Sequence, residues 1–208
     1  MRGIHASCVI GAIVVLALGC GPLRRLAYEG FGRDSWQQPD RVVESLALSP
    51  GAHVADLGSG GGYFTWPLAD AVGESGRVYA IDVDPDMTSH IAEQSREKGH
   101  ANVESILGEF DDPLIPEGGV DLIFTCNTYH HFEAPEEYYR SAAKYLRPGG
   151  RLAIIEPNGK GWLQRVFPHF TEPEVIRAEM EAAGYRRVEA FEFLERQSFQ
   201  IFERAPQK

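Results

Sequence analysis

Apolar residues cluster along the chain in two alternating patterns, short continuous runs and longer amphipathic stretches. The short runs are bounded by glycine, proline or charged residues, which is typical of buried strands. They predict five strands, at 53–58, 77–83, 102–108, 120–126 and 151–157. The amphipathic stretches repeat apolar residues every three to four positions and predict helices over 39–46, 63–72, 86–98, 134–146 and 171–183.

Two local signals mark helix ends. The sequence Pro148-Gly149-Gly150 is predicted to end the helix that begins at Ala134. The sequence Thr171-Glu172-Pro173-Glu174 predicts a capping box that opens the last helix.

The order of these elements predicts the sheet. Strands separated by helix-length segments form a parallel sheet with helices on both faces. Residues 186–194 and 198–204 alternate between apolar and polar and are joined by only a few residues, so they are predicted to be antiparallel neighbours. The predicted fold class is therefore α/β, with an open, mostly parallel seven-stranded sheet and an antiparallel C-terminal hairpin.

The N-terminal residues form a separate apolar segment. Arg2 precedes the run from Cys8 to Leu18, and Gly19-Cys20 follows it, which resembles a bacterial lipoprotein signal. An uncleaved membrane anchor, a buried helix and a misassigned start codon are the alternatives. We predict a signal peptide, lipoprotein signal or membrane anchor over 1–20, a linker over 21–38 and one domain over 39–208.

Charge and cysteine content narrow the functional classes. Lys and Arg number 20 against 30 Asp and Glu, so the formal net charge is -10. Such a chain repels phosphate backbones, and no nucleic-acid partner is predicted. With three cysteines, two of them in the N-terminal apolar segment, neither a disulfide framework nor a zinc site is predicted.

A glycine-rich segment, Asp56-Leu57-Gly58-Ser59-Gly60-Gly61-Gly62, directly follows the first strand. Glycines allow a sharp turn and a close approach of the backbone to a ligand. A dinucleotide fingerprint would need a third small residue where the chain has Tyr63 or Thr65, and a phosphate loop would need a lysine that this region lacks. The pattern D-x-G-x-G-x-G remains.

Five segments in order resemble the class I S-adenosylmethionine-dependent methyltransferases, over residues 39–204. They are VADLGSGGGYF (54–64), VYAIDVDP (78–85), LGEFDDP (107–113), VDLIFTCNTYHHF (120–132) and YLRPGGRLAIIEP (145–157). The small-molecule branch that includes the ubiquinone and menaquinone methyltransferases is the most similar. The resemblance implies a Rossmann-like sheet, S-adenosylmethionine as the cofactor and a small or lipid-like acceptor.

The resemblance also implies roles for individual residues, beginning with the adenosine. Asp82, at the end of the second strand, matches the acid that accepts both ribose hydroxyls, with Val83 beside it. Asp84 is a competing ribose ligand, and a merely solvated Asp82 is the structural alternative. Glu109 matches the acid that faces the adenine amino group, with the backbone N–H of Phe110 next to the ring. The family more often has Asp-Ala here, and a surface turn is the alternative.

The methionine end is assigned to the glycine-rich segment and the fourth strand. Asp56 and the backbone of Gly58, Gly60 and Gly62 are predicted to hold it. The side-chain carbonyl of Asn127 is predicted to meet the ammonium or sulfonium, with a turn-forming asparagine as the alternative.

Methyl transfer needs a general base only if the acceptor must lose a proton. His130 and His131 follow the fourth strand and are candidates for that base, His130 the better placed of the two. Packing at a helix entry is their alternative role, and Tyr129 is a weaker candidate. Four aromatic residues either line an apolar acceptor pocket or belong to the core, namely Trp36, Trp162, Phe167 and Phe170.

The sequence therefore predicts an S-adenosylmethionine-dependent methyltransferase. A catalytically idle, membrane-tethered binding module that keeps the fold is the alternative. Arginines 24, 25 and 33 follow the N-terminal apolar segment. The positive-inside rule and the cytoplasmic supply of the cofactor favour a membrane-associated domain that faces the cytoplasm.

Overall fold

Strands and helices alternate along the computed structural model, which describes residues 32–160 and 170–206. The strands are β1 (His53–Leu57), β2 (Arg77–Asp82), β3 (Val103–Leu107), β4 (Val120–Cys126), β5 (Leu146–Pro157), β6 (Tyr185–Phe191) and β7 (Gln197–Arg204). The helices are α1 (Arg33–Gln37), α2 (Pro39–Ser45), α3 (Thr65–Val72), α4 (Pro85–Lys98), α5 (Pro135–Ala142) and α6 (Pro173–Ala182), with 3-10 turns at Tyr129–His131 and Ala143–Tyr145.

The seven strands form one sheet in the order β3-β2-β1-β4-β5-β7-β6. Neighbours from β3 to β5 are parallel, whereas β7 pairs antiparallel with both β5 and β6. The predicted α/β fold with an antiparallel C-terminal hairpin is confirmed. The chain runs outward from β1 to β3 and then returns to β4 on the other side of β1, which makes the β1–β4 boundary the switch point of the sheet. Open α/β sheets bind ligands at the carboxyl ends of strands at such a point.

The alternation of side chains along each strand builds two cores, one on each face of the sheet. Ala55 and Leu57 of β1 belong to the core that includes α5 and α6. Val54 points to the opposite core, which includes α2, α3 and α4. Each fully buried aliphatic side chain contributes about 1.5–3 kcal/mol. Buried apolar residues on both faces explain why the strand segments read as nearly continuous apolar runs.

Three local predictions need correction. The helix predicted over 134–146 ends at Ala142, because Pro148 favours an extended residue before it and Leu146 pairs with Val120 at the start of β5. The capping box is wrong, since the N-cap of α6 is Glu172 and no side chain caps it. Part of the predicted linker forms helix α1, whose last residue Gln37 is buried.

Candidate active site at the carboxyl edge of the sheet

The glycine-rich segment forms a tight loop at the carboxyl end of β1. The backbone N–H groups of Gly58 and Ser59 donate to the carbonyl of Ile81 at 2.8 and 3.0 Å, which ties the loop to β2. Gly58, Gly60 and Gly62 have φ angles of 74°, 52° and 87°. This left-handed backbone is costly for any residue with a side chain, so the conformation itself explains the glycines.

Close packing is a second reason for glycine in this loop. A Cβ atom on Gly58 would lie 2.3 Å from Oγ1 of Thr128, which follows β4. A Cβ atom on Gly62 would lie 2.6 Å from Cδ1 of Ile91 on α4. The loop therefore lies between the end of β4 and a helix, and its backbone comes within contact distance of both.

Asp82 lies at the end of β2 and faces the loop. Its Oδ2 accepts a hydrogen bond from the N–H of Gly60 at 2.8 Å, and its Oδ1 accepts from the N–H of Asp84 at 3.0 Å. Asp84 is the N-cap of α4, and its own Oδ1 accepts from the N–H of Asp86 at 2.9 Å. Both carboxylates already accept hydrogen bonds from backbone N–H groups, so the ribose role of Asp82 and the competing role of Asp84 both stay predictions.

Exposed apolar side chains follow β2 and β3. Val83 is 42% exposed and Phe110 is 85% exposed. Leu107 and Leu114, in the same region of the chain, are 51% and 42% exposed. Large exposed apolar groups next to a carboxylate provide the surface that an adenine ring needs. Glu109, predicted to face the adenine amino group, is exposed, and its backbone N–H donates to the carbonyl of Asp112 at 2.8 Å.

Asp56 is buried at the end of β1. Only 3% of it is exposed, and its Oδ2 accepts a hydrogen bond of 2.6 Å from the Thr65 hydroxyl. Burial raises the pKa of this carboxyl to about 7, and the charge of Asp82 adds to the rise while the Thr65 hydrogen bond opposes it. This places Asp56 against the first turn of α3, and its predicted contact with the methionine end stays a prediction.

Asn127 adopts a left-handed conformation with φ 57° directly after β4. Its side-chain oxygen accepts a hydrogen bond of 2.7 Å from Nε2 of Gln197, and its N–H donates to the carbonyl of Ile155 at 2.9 Å. Asparagine tolerates this backbone better than most residues. The turn-forming role is therefore visible in the geometry, and contact with a sulfonium stays a prediction.

His130 forms a close pair with a buried carboxylate. Its Nδ1 lies 2.5 Å from Oε1 of Glu156, which follows the apolar run of β5 and is fully buried. Burial raises the pKa of Glu156, and the hydrogen bond and charge of His130 oppose the rise. His131 is exposed, with its ring centroid 4.1 Å from that of His130. The carboxylate fixes the orientation of the His130 ring.

The other candidate side chains have structural partners or lie outside the described residues. The Tyr129 hydroxyl donates to Glu179 at 2.6 Å, and burial together with this bond raises its pKa far above neutrality. Trp36 lies near Arg196, whose guanidinium carbon is 5.9 Å from the indole. Phe170 packs on Gly159, where an added Cβ would lie 2.8 Å from the ring. Trp162 and Phe167 lie outside the described residues.

Sequence reasoning did not identify three residues at this edge. Glu156 carries the signal that identified Asp82, an acid at the carboxyl end of an apolar strand. Thr128 becomes important only through its contact with Gly58. Gln37 is buried and donates from Nε2 to the Cys126 sulfur at 2.8 Å. Residues 21–38 were predicted to be a linker, so this contact was not expected.

Two further predictions concern metal binding and a membrane-spanning segment. In residues 32–160 and 170–206, no group of three or more His, Cys, Asp or Glu side chains is arranged to hold a metal ion. No helix in these ranges is long and apolar enough to cross a bilayer. The predicted signal or anchor over 1–20 lies outside the described residues.

Comparison with known proteins identifies the class of this fold and site. The architecture superposes on a solved S-adenosylmethionine-dependent methyltransferase from Aquifex aeolicus with a TM-score of 0.79 and 25% sequence identity, over 88% of this chain and 98% of the other. Residues 48–197 match the model of the family described as "Methyltransferase domain". The chain belongs to this methyltransferase family. The predicted class, S-adenosylmethionine-dependent methyltransferases, and the predicted cofactor are confirmed.

Two of the curated relatives are methyltransferases named for small molecules. The chain is 29% identical to the aklanonic acid methyltransferase DauC of Streptomyces sp. strain C5, over 68% of this chain and 64% of DauC. It is 30% identical to the ubiquinone/menaquinone biosynthesis C-methyltransferase UbiE of Shewanella sediminis, over 55% of this chain and 46% of UbiE. The chain thus spans less than two thirds of the length of either relative.

The described residues fit S-adenosylmethionine. A carboxylate at the end of β2 suits a vicinal diol, and the exposed side chains of Val83 and Phe110 suit an adenine ring. The left-handed glycine loop lies at the same edge, where the backbone N–H of Gly60 donates to Asp82. The methyl acceptor is not identified by these features.

Proposed function

We propose that this protein transfers the methyl group of S-adenosylmethionine to a small-molecule acceptor, with His130 as the general base when the acceptor must lose a proton. The observation that carries the proposal is the pair formed by His130 and the buried Glu156, 2.5 Å apart. The pair lies beside the glycine loop, because Thr128, two residues before His130, packs on Gly58.

The cofactor supplies a methyl group that its sulfonium activates for in-line displacement. The protein then has to align the acceptor and receive its proton. A carboxylate at Nδ1 holds the N–H there, so the imidazole accepts a proton at Nε2. Glu156 is suited to this because it is fully buried and its Oε1 faces the ring. A hydroxyl is the acceptor class that needs such a base, whereas an acidic carbon, thiol or amine that is already deprotonated does not.

The names of the relatives support a small molecule as the acceptor. DauC is named for aklanonic acid and UbiE for ubiquinone and menaquinone. We extend the proposal to lipid-like acceptors because the N-terminal segment, 1–20, is apolar. We also propose that this segment tethers the domain to the membrane with the active site in the cytoplasm, where the cofactor is made. Protection from external protease in spheroplasts tests this orientation, and digestion of the domain from outside contradicts it.

Turnover of the His130→Ala variant tests the function. Methyl-labelled cofactor and cell extract fractions identify an acceptor for the wild type, and His130→Ala then lowers turnover about 10²–10⁴-fold with unchanged cofactor affinity. His100→Ala is the matched control, since His100 stacks on Trp66 with ring centroids 5.5 Å apart at the end of α4. If His130→Ala turned over as fast as the wild type, His130 would be excluded as the general base. Cofactor binding without labelling of any acceptor would favour the idle binding module.

A further inference from the structure

Helix α1 lies against the carboxyl edge of the sheet through specific polar contacts. Gln37 donates to the sulfur of Cys126 at the end of β4, at 2.8 Å. Asp34 accepts a hydrogen bond of 2.6 Å from the hydroxyl of Tyr63, which directly follows the glycine loop. These contacts hold α1 beside both β4 and the loop, although it precedes the sheet by more than a dozen residues.

Arg33, the first residue of α1, is held in place on two sides. Its guanidinium carbon lies 3.7 Å from the centroid of the Tyr63 ring, and its Nε donates to Oε1 of Gln37. A guanidinium that stacks on a ring through its face keeps its N–H bonds in its own plane, in a fork that suits a carboxylate. Arg33 is therefore a cation with a fixed position and a fixed orientation.

The charge of Arg33 acts on the same edge that carries the glycine loop. Burial raises the pKa of Asp56 to about 7 and that of Cys126 to about 12, and the positive charge of Arg33 opposes the rise at both groups. Asp56 ends β1 and Cys126 ends β4, so Arg33 acts on the two strands that flank the switch point. This is the position assigned to the methionine end of the cofactor.

The cofactor carries an α-carboxylate at that end, and the protein side of the site is acidic. Asp82 lies at this edge, so a nearby cation is needed to offset its repulsion of an incoming carboxylate. We propose that Arg33 binds the α-carboxylate of the methionine portion of S-adenosylmethionine. The inference rests on the proposed function for the identity of the ligand, and it assigns α1 to the binding site.

The alternative is that Arg33 only fastens α1 to Tyr63. Two ligands that differ in a single group separate these roles, namely S-adenosylmethionine and its decarboxylated form. If Arg33 binds the carboxylate, Arg33→Gln weakens S-adenosylmethionine binding about tenfold to a hundredfold and leaves the affinity for the decarboxylated ligand unchanged. Arg33→Lys keeps the charge without the fork and gives an intermediate loss.

Titration calorimetry of the whole chain measures both affinities, with Arg41→Gln as the matched control. Arg41 also stacks on an aromatic ring, 4.2 Å from the centroid of Phe193, but it lies on α2. The control is expected to change neither affinity. Equal weakening of both ligands by Arg33→Gln would assign Arg33 a purely structural role, and no weakening of either would exclude it from the site. A wild-type protein that binds neither ligand would instead refute the proposed function.

Discussion

The backbone N–H of Gly60 donates a hydrogen bond of 2.8 Å to Oδ2 of Asp82, so one carboxylate ties the glycine loop after β1 to the end of β2. The other oxygen of Asp82 accepts from the N–H of Asp84. Asp82 therefore organises the loop as well as facing the position predicted for the ribose. Any variant at this position is expected to affect both the loop and the ligand.

Replacement of Asp82 is expected to weaken cofactor binding. Hydrogen bonds to a charged group contribute about 1.5–3 kcal/mol each, so Asp82→Ala weakens S-adenosylmethionine binding at least about tenfold in titration calorimetry. Asp84→Ala is the control. It removes the cap of α4, which costs about 1 kcal/mol of stability, and leaves the affinity unchanged. An equal loss of affinity in Asp84→Ala would transfer the ribose role to that residue.

A second prediction separates backbone strain from close packing at Gly58. Gly58 and Gly99 have nearly the same φ, 74° and 75°. An added Cβ on Gly99 meets nothing within 4 Å, whereas on Gly58 it lies 2.8 Å from the Cβ of Thr128, which no rotamer change can move. Gly99→Ala is therefore expected to cost about 1 kcal/mol for the left-handed conformation alone.

Gly58→Ala is expected to cost about 1–3 kcal/mol more than Gly99→Ala in urea denaturation, because the loop or β4 must shift. The shift also displaces the loop from Asp82, so cofactor affinity falls in Gly58→Ala and not in Gly99→Ala. Equal stability losses in the two variants would show that Thr128 adjusts at no cost.

The sequence was sufficient for features that depend on residues close together in the chain. Asp82 and the glycine loop each directly follow an apolar strand, and parallel strands place such residues at one edge. The predicted strand bounds 120–126 also agree with the structure, because this strand is buried on both faces and its apolar run is therefore continuous. The helix predicted over 134–146 was too long, since its apolar pattern continues through Tyr145 into β5.

Features that depend on distant residues were not predictable. Glu156 and His130 meet because β4 and β5 are neighbours in parallel register, Cys126 beside Ile155. Gln197 reaches Asn127 only because β7 inserts between β5 and β6, whereas a predicted hairpin leaves open which of its strands faces the sheet. Helix α1 is short and its apolar content is low, so its residues read as a linker.

A third prediction concerns the carboxylate behind His130. Glu156→Gln keeps the size of the side chain but removes the charge that holds the Nδ1–H, so turnover is expected to fall about tenfold or more. The affinity for S-adenosylmethionine stays unchanged.

The control for this variant is Glu179→Gln. Glu179 accepts a hydrogen bond from Tyr129, the residue before His130, so its loss weakens packing in the same region. Steady-state kinetics and calorimetry on both variants separate the roles. A turnover that falls equally in Glu179→Gln and Glu156→Gln would mean that the region is sensitive to packing and that Glu156 does not orient the base.

The last prediction concerns Asp56 and the pH dependence of stability. Burial raises the pKa of this carboxyl from 3.8 to about 7 in the folded chain. Between about pH 4 and about pH 7, the folded state therefore holds a proton on Asp56 that the unfolded state has released. The stability that protonated Asp56 contributes is fully present below about pH 4 and is lost as the pH rises through about 7.

The Asp56→Asn variant tests this pH dependence, because it keeps an acceptor for the Thr65 hydroxyl and cannot ionise. In urea denaturation, wild type is expected to lose stability between about pH 4 and about pH 7 relative to Asp56→Asn, since all other titrating groups are common to both chains. Parallel curves for the two proteins would mean that Asp56 is ionised throughout this range despite its burial.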